Sequence, residues 1–205
     1  VLKFITYPTR FDNRETERAL KGSGISVPKL DDYAWRLWDY WERHLDPDLF
    51  VDRSLKGKVR GKVVLITGGS SGIGLSTAQR VAEAGATTII VARGEEELFK
   101  ARDAMKKAGG KVFAYTADLA DMASCDTLVQ TVLAEHGHVD ILINNAGRSI
   151  RRSIEASYDR FHDFERTMQL NYFGSIRLIM GFMPKMTERR KGHIINISSI
   201  GVLAN

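Results

Sequence analysis

One stretch, Val63-Val64-Leu65-Ile66-Thr67-Gly68-Gly69-Ser70-Ser71-Gly72-Ile73-Gly74, limits what this chain can fold into more than any other. The apolar run at its start reads as a strand buried on both faces, as in a parallel sheet. A glycine-rich turn follows, and residues 75–84 have helical composition and close at Gly85. Strand, tight glycine turn and helix form the first half of a nucleotide-binding βαβ unit. A helix N-terminus presents unpaired N–H groups and a partial positive charge, so it attracts a pyrophosphate. On this reading a side chain at Gly72 blocks the approach of phosphates, and one at Gly74 pushes the helix off the sheet. A glycine-rich turn with no ligand is the alternative.

From Lys62 onward strand and helix patterns alternate, which predicts a doubly wound α/β domain over residues 56–205: a Rossmann-like parallel sheet with helices on both faces. Further strands are predicted at 87–92, 112–116, 139–144 and 193–197. Leu98, Ala101, Met105 and Ala108 form one helical stripe, closed by Gly109-Gly110. Cys125, Leu128, Val132 and Leu133 form another. Residues 157–170 and 172–188 read as one long helix or two, with stripes Phe161/Phe164/Met168 and Phe173/Ile176/Met180/Met183. Residues 1–30 read as irregular, broken by Pro8, Gly22, Gly24 and Pro28. Residues 31–45 differ: Ala34, Leu37, Trp38, Trp41 and Leu45 fall at helical spacing, Asp31 or Asp32 can cap the start, and Pro47 stops the run. That amphipathic helix is expected to dock on a domain, with a partner or membrane surface as the alternative. The polar residues 46–61 serve as a connector, so residues 1–55 form an extension ahead of the domain.

Charge narrows the classes of ligand. Residues 1–55 carry 9 Lys and Arg against 10 Asp and Glu, while residues 56–205 carry 21 against 15. A basic domain suits a polyanionic small molecule. No dense basic run with interleaved aromatics points to nucleic acid. The single cysteine, Cys125, excludes an internal disulfide and lies on an apolar stripe, which reads as a packed thiol. Among the histidines only His136 and His138 are close, and that pair reads as a helix end, so no metal site is expected. Nothing resembles a signal peptide or a membrane-spanning run, and a cytoplasmic location is expected. The chain begins at a valine and is expected to start inside a longer protein.

The segment Thr67-Gly68-Gly69-Ser70-Ser71-Gly72-Ile73-Gly74 resembles the cofactor motif of the short-chain dehydrogenase/reductase family. Other signals fall in order at successive strand ends, where open α/β sheets bind ligands. Arg93 stands nineteen residues after Gly74. A carboxylate near that distance holds the ribose 2′-OH of NAD, whereas an arginine accepts the 2′-phosphate of NADP; a solvated loop arginine is the plain alternative. The resemblance implies that Thr67, Gly68, Ser70, Ser71, Gly72, Ile73 and Gly74 contact the cofactor. It implies the same for Arg93, for Asp118 and Leu119 beside the adenine, and for Asn145, Ala146 and Gly147 beside the riboses. It also implies that Asn171 interrupts a helix to support a water-linked proton relay, and that Ser199 hydrogen-bonds the substrate carbonyl. The family's general acid, a Tyr-x-x-x-Lys pair shortly after the serine, is missing: no tyrosine here has a lysine at +4. The pair is therefore expected beyond Asn205, the domain being truncated.

A narrower resemblance lies in residues 11–18, in residues 38–49 and in Asn145 to Ser153, which are similar to bacterial two-domain fatty acyl-CoA reductases. It implies that residues 1–55 link a preceding reductase domain to this one. The expectation is an NADPH-dependent reductase of a fatty aldehyde or fatty acyl-CoA, assembled as a homo-oligomer. The alternatives are a reductase of another carbonyl, such as a 3-ketoacyl thioester or steroid, and a non-catalytic NADP-binding module. Arg148, Arg151 and Arg152 are candidates to meet an anionic part of the substrate.

Overall fold

The computed structural model describes residues 12–26, 28–45 and 51–199. The chain divides into two units, residues 1–51 and 52–205. In the first, α1 (Arg14–Leu20) precedes α2 (Leu30–Tyr40), which runs into a π-helical turn at Trp41–Leu45. Asp31 and Asp32 do not cap α2: Lys29 holds that position without a side-chain bond, and both aspartates lie in the first turn. There their charge still complements the helix dipole. No residue of α2 is buried, and Trp35, Trp38 and Trp41 are 61%, 56% and 42% exposed. Pro8 and Pro47, read as breakers, lie outside the described residues.

The second unit opens with α3 (Leu55–Val59), capped by Ser54, whose Oγ accepts the Gly57 N–H. Then follow β1 (Val63–Thr67), α4 (Gly72–Glu83), β2 (Thr87–Ala92), α5 (Glu95–Lys107), β3 (Lys111–Thr116), α6 (Met122–His136) and β4 (Ile141–Asn144). A long irregular loop leads to α7 (Phe161–Met168), a π-helical turn (Gln169–Gly174), α8 (Ser175–Glu188) and β5 (His193–Asn196). All strand pairs are parallel, in the order β3-β2-β1-β4-β5. The doubly wound α/β fold is thus as the sequence predicts.

Alternation along the strands explains the continuous apolar runs. Val64, Ile66 and Ile90 face a core made with α4 and α5, including Ala78, Val81, Leu98 and Met105. Leu65, Ile89, Val91 and Leu142 face the opposite core, made with α6 and α8, including Leu128, Val132, Leu178 and Phe182. Cys125 lies buried in that second core, as its stripe predicts. α6 ends at His136 because Gly137 takes φ +76°. Strand β4 starts at Ile141 rather than at 139, since Asp140 turns its carboxylate onto the Val63 N–H at 2.9 Å.

The stripes predicted for residues 157–188 are displaced. Phe161, Phe173 and Met180 are 71%, 47% and 62% exposed, while Leu178, Phe182 and Met186 are buried. In α8 the buried face is out of phase with the expected one and runs through Leu178, Phe182 and Met186. Close approach fixes that phase. A Cβ at Gly174 would collide with the Leu119 carbonyl, and one at Gly181 would lie 2.6 Å from Val129 Cγ2.

Candidate active site

Parallel pairing brings the C-terminal ends of all five strands to one edge of the sheet, where Thr67, Arg93, Asp118, Asn145 and Ser199 follow in turn. Thr67 organises that edge. Its buried hydroxyl accepts the N–H groups of Asn145 and Ala146, both at 2.9 Å, and donates to the Ile143 carbonyl at 3.4 Å. Those bonds use the hydroxyl inside the protein, so Thr67 positions the loop after β4. The Asn145 amide returns the contact, donating to the Thr67 and Gly68 carbonyls at 3.0 and 3.4 Å.

The glycine turn closes against that loop. Gly68 and Gly72 take φ of +67° and +53°, a region that favours glycine. A Cβ on Gly74 would overlap the Gly68 carbonyl and lie 2.5 Å from the Asn145 amide nitrogen. The glycine therefore makes room for the turn's own backbone, not for helix against sheet as the sequence suggests. A Cβ on Gly72 would meet nothing within 4 Å, so the turn is open on that side. Ser71 stands extended at the N-cap of α4, and its side chain caps no N–H. Ser70 is half-buried, and Ile73 is exposed on the first turn. Uncapped first-turn N–H groups beside an open glycine form a cradle suited to phosphate oxygens.

Arg93 follows β2 directly and is exposed. Its guanidinium makes no hydrogen bond or ion pair among the described residues. Asp118 shapes its own turn, its carboxylate accepting the Ala120 N–H at 3.0 Å, while Asp121 caps α6. Leu119 is buried beneath Gly174.

Asn171 sits in the π-helical turn, and its side chain grips the Arg148 backbone. Its Oδ1 accepts the Arg148 N–H and its Nδ2 donates to the Arg148 carbonyl, both at 2.9 Å. The helix interruption expected at Asn171 is therefore present, and its side chain anchors the loop leaving Gly147. That second partner carried no signal in the sequence, since it is a backbone contact 23 positions away. Ser198 and Ser199 lie exposed just beyond β5. The Ile197 N–H donates to the Asn144 carbonyl at 2.9 Å, which keeps this segment beside the Asn145 loop.

Other reactive side chains lie elsewhere. Burial pushes the Cys125 thiol up to about 11, and the thiol faces the Leu119 carbonyl. Tyr115, Glu135 and His136 form a hydrogen-bonded cluster on β3 and α6. Burial raises the tyrosine and lowers the histidine from their ordinary ranges. Among the described residues no helix is long and apolar enough to cross a membrane.

A family model described as short chain dehydrogenase matches residues 62–204. A fatty acyl-CoA reductase of Acinetobacter baylyi is 58% identical over 155 residues, covering 76% of this chain and 52% of that protein. A fatty acyl-CoA reductase of Mycobacterium tuberculosis is 44% identical over 162 residues, covering 78% and 55%. The chain spans about half the length of the curated relatives it matches. Among solved structures, a metagenomic short-chain oxidoreductase in complex with NADP matches with TM-score 0.65 and 31% identity over 69% of this chain and 63% of that one. L-sorbose reductase from Gluconobacter frateurii, complexed with NADPH and L-sorbose, matches with TM-score 0.65 and 36% identity over 69% and 54%.

Proposed function

The chain belongs to the short chain dehydrogenase family, and from that premise we propose that it is an NADPH-dependent reductase of a fatty aldehyde or fatty acyl-CoA. The observation that carries the cofactor reading is Arg93, a cation unpaired among the described residues, one residue beyond β2 and beside an open glycine turn. A bound NADPH supplies hydride. The first-turn N–H groups of α4 would hold its pyrophosphate, Arg93 its 2′-phosphate, and the Asp118-Leu119 turn its adenine side. The Asn145-Ala146-Gly147 backbone, fixed by Thr67, would run beside the riboses. Ser199 would donate to the substrate carbonyl oxygen, and Asn171 would hold the Arg148 loop and support proton delivery.

The names of the two curated relatives support a fatty acyl substrate. Arg148, Arg151 and Arg152, all exposed on the loop after β4, would meet an anionic part of it such as the coenzyme A phosphates. Residues 1–55 would link this domain to a preceding reductase domain. The exposed apolar residues of α8, Ile176, Met180 and Met183, would pair with a second copy, giving a homo-oligomer. A single, buried cysteine suits a reducing compartment such as the cytoplasm.

Titrating NADPH and NADH into the full-length protein and its Arg93→Ala variant tests the cofactor reading. A charge-assisted arginine–phosphate contact contributes about 1.5–3 kcal/mol, so NADPH should lose roughly ten- to a hundredfold in affinity. NADH binding should hold. Equal affinities in the unmodified protein, or equal losses in the variant, overturn it. Neutralising Arg148, Arg151 and Arg152 together should raise KM for acyl-CoA more than for free aldehyde; an equal rise counts against the anion contact.

A further inference from the structure

We infer that the cavity between the loop after β4 and helix α7 receives the apolar chain of the substrate, an inference that rests on the reductase reading above. The cavity has a volume of about 240 Å³ and is walled by Ile150, Arg152, Asp163, Phe164, Thr167 and Met168, with Ser157 at its side. At about 30 Å³ per water, that is space for a flexible chain rather than for one trapped solvent molecule.

Its position follows from the loop geometry. Asn171 pins the Arg148 backbone at the catalytic edge. Thr167 lies one helical turn before Asn171 and Asp163 two turns before it, so at 1.5 Å per residue these walls stand roughly 6–12 Å back along the helix. The loop passes from Arg148 through Ile150 to Arg152 over the same stretch. A linear substrate whose carbonyl reached Ser199 could lay its chain along this groove.

Three of the four polar side chains in the wall already have partners. Thr167 Oγ1 donates to the Asp163 carbonyl at 2.8 Å, and Ser157 Oγ donates to the Ser153 carbonyl at 2.8 Å. The Asp163 carboxylate accepts from Arg160 Nε at 2.8 Å and lies 3.4 Å from His162 Nε2. What remains to face an occupant is Ile150, Phe164 and Met168, with Arg152 as the fourth polar residue of the wall. Against Ile150, Phe164 and Met168 the hydroxyls of a sugar would be desolvated without partners, leaving Arg152 as one donor for several groups. The lining suits methylenes, each of which adds roughly fourfold in affinity when buried.

The experiment pairs two substitutions of opposite sign in the full-length protein. Ile150→Trp fills the cavity and Met168→Ala enlarges it. The first readout is kcat/KM for straight-chain aldehydes of increasing length with NADPH. The second is binding of cis-parinaric acid, a fluorescent linear chain with no aldehyde to reduce. We expect Ile150→Trp to shorten the preferred chain and weaken the probe at least tenfold. Met168→Ala should move the preference to longer chains, an outcome that misfolding does not produce. An unchanged length profile and unchanged probe binding in both variants overturn the cavity assignment while leaving the reductase reading standing. A change of oligomeric mass with no change in either readout also overturns it, in favour of a second copy at this face. Probe binding that shifts as expected, without NADPH oxidation by any aldehyde or acyl-CoA, sustains the cavity as a site for an apolar chain and removes the reductase reading.

Discussion

Thr67 shows how much of the site hangs on a single hydroxyl. It satisfies two successive N–H groups of the loop after β4, and valine has the same shape without the oxygen. Thr67→Val should therefore leave both groups unpaired at about 1–3 kcal/mol each, and weaken NADPH binding with stability. Thr67→Ser should preserve both properties. Denaturant melts and cofactor titrations decide it, and a Thr67→Val protein as stable as the parent refutes the clamp. Cys125 makes the contrasting case: buried, with its thiol raised to about 11, it should resist thiol reagents at pH 8 until the protein is unfolded. Rapid labelling of the native protein would contradict that. The sequence reveals these residues unevenly. Gly74 is recognisable by spacing, but its reason is not, because the obstacle is the Gly68 carbonyl folding back over the turn. The partner of Asn171 is likewise hidden, since any residue can offer a backbone amide and carbonyl.

At the scale of elements, strands were the most legible parts. A strand of a parallel sheet is buried on both faces, so its apolar run is continuous and its ends are marked by polar residues. β2 lies at Thr87–Ala92, the residues its composition predicts. The helical stretch after β4 is harder to read because α8 is apolar on two faces, and it buries Leu178, Phe182 and Met186 while Ile176, Met180 and Met183 stay exposed. Two glycines mark the packed side. Gly174 lies against Leu119 and Gly181 against Val129, which lets α8 settle onto α6. Gly181→Ala should therefore overpack that contact and destabilise by about 1–3 kcal/mol, despite alanine's higher helix propensity. A gain in melting temperature would show that Val129 gives way freely. Asn171→Ala should spare the helix but release the Arg148 loop, raising KM more than it lowers stability. A loss of stability with unchanged KM would assign Asn171 to the fold alone.

On the scale of the whole molecule, the sheet has two ends with different duties. Its C-terminal edge carries the candidate site, and its other end carries Asp140. Burial works to raise that carboxyl, but bonds from the Val63 N–H and Arg189 prevail and hold it below its ordinary 3.8. A carboxylate depressed in the folded state stabilises fully above the unfolded value, and its contribution is lost as pH falls below about 3.8 through the folded one. Asp140→Asn should therefore be less stable near neutrality and show a flatter loss of stability in acid. Urea melts across pH 2–7 check this, and parallel acid limbs in both proteins refute it. The strand order also has a consequence in time. β1, β2 and β3 follow one another in sequence, and β2 pairs with both of the others, whereas the other flank of β1 waits for β4, which begins at Ile141. As the chain emerges from the ribosome, half of the sheet can assemble while one side of β1 stands bare. Contacts close in sequence cost less loop entropy and form early. Ile90→Val, between β1 and β3, should then chiefly slow folding, while Ile143→Val, on the late flank, should chiefly speed unfolding. Chevron plots of the two variants measure that order directly, and a reversed assignment would mean that the sheet closes from the other side.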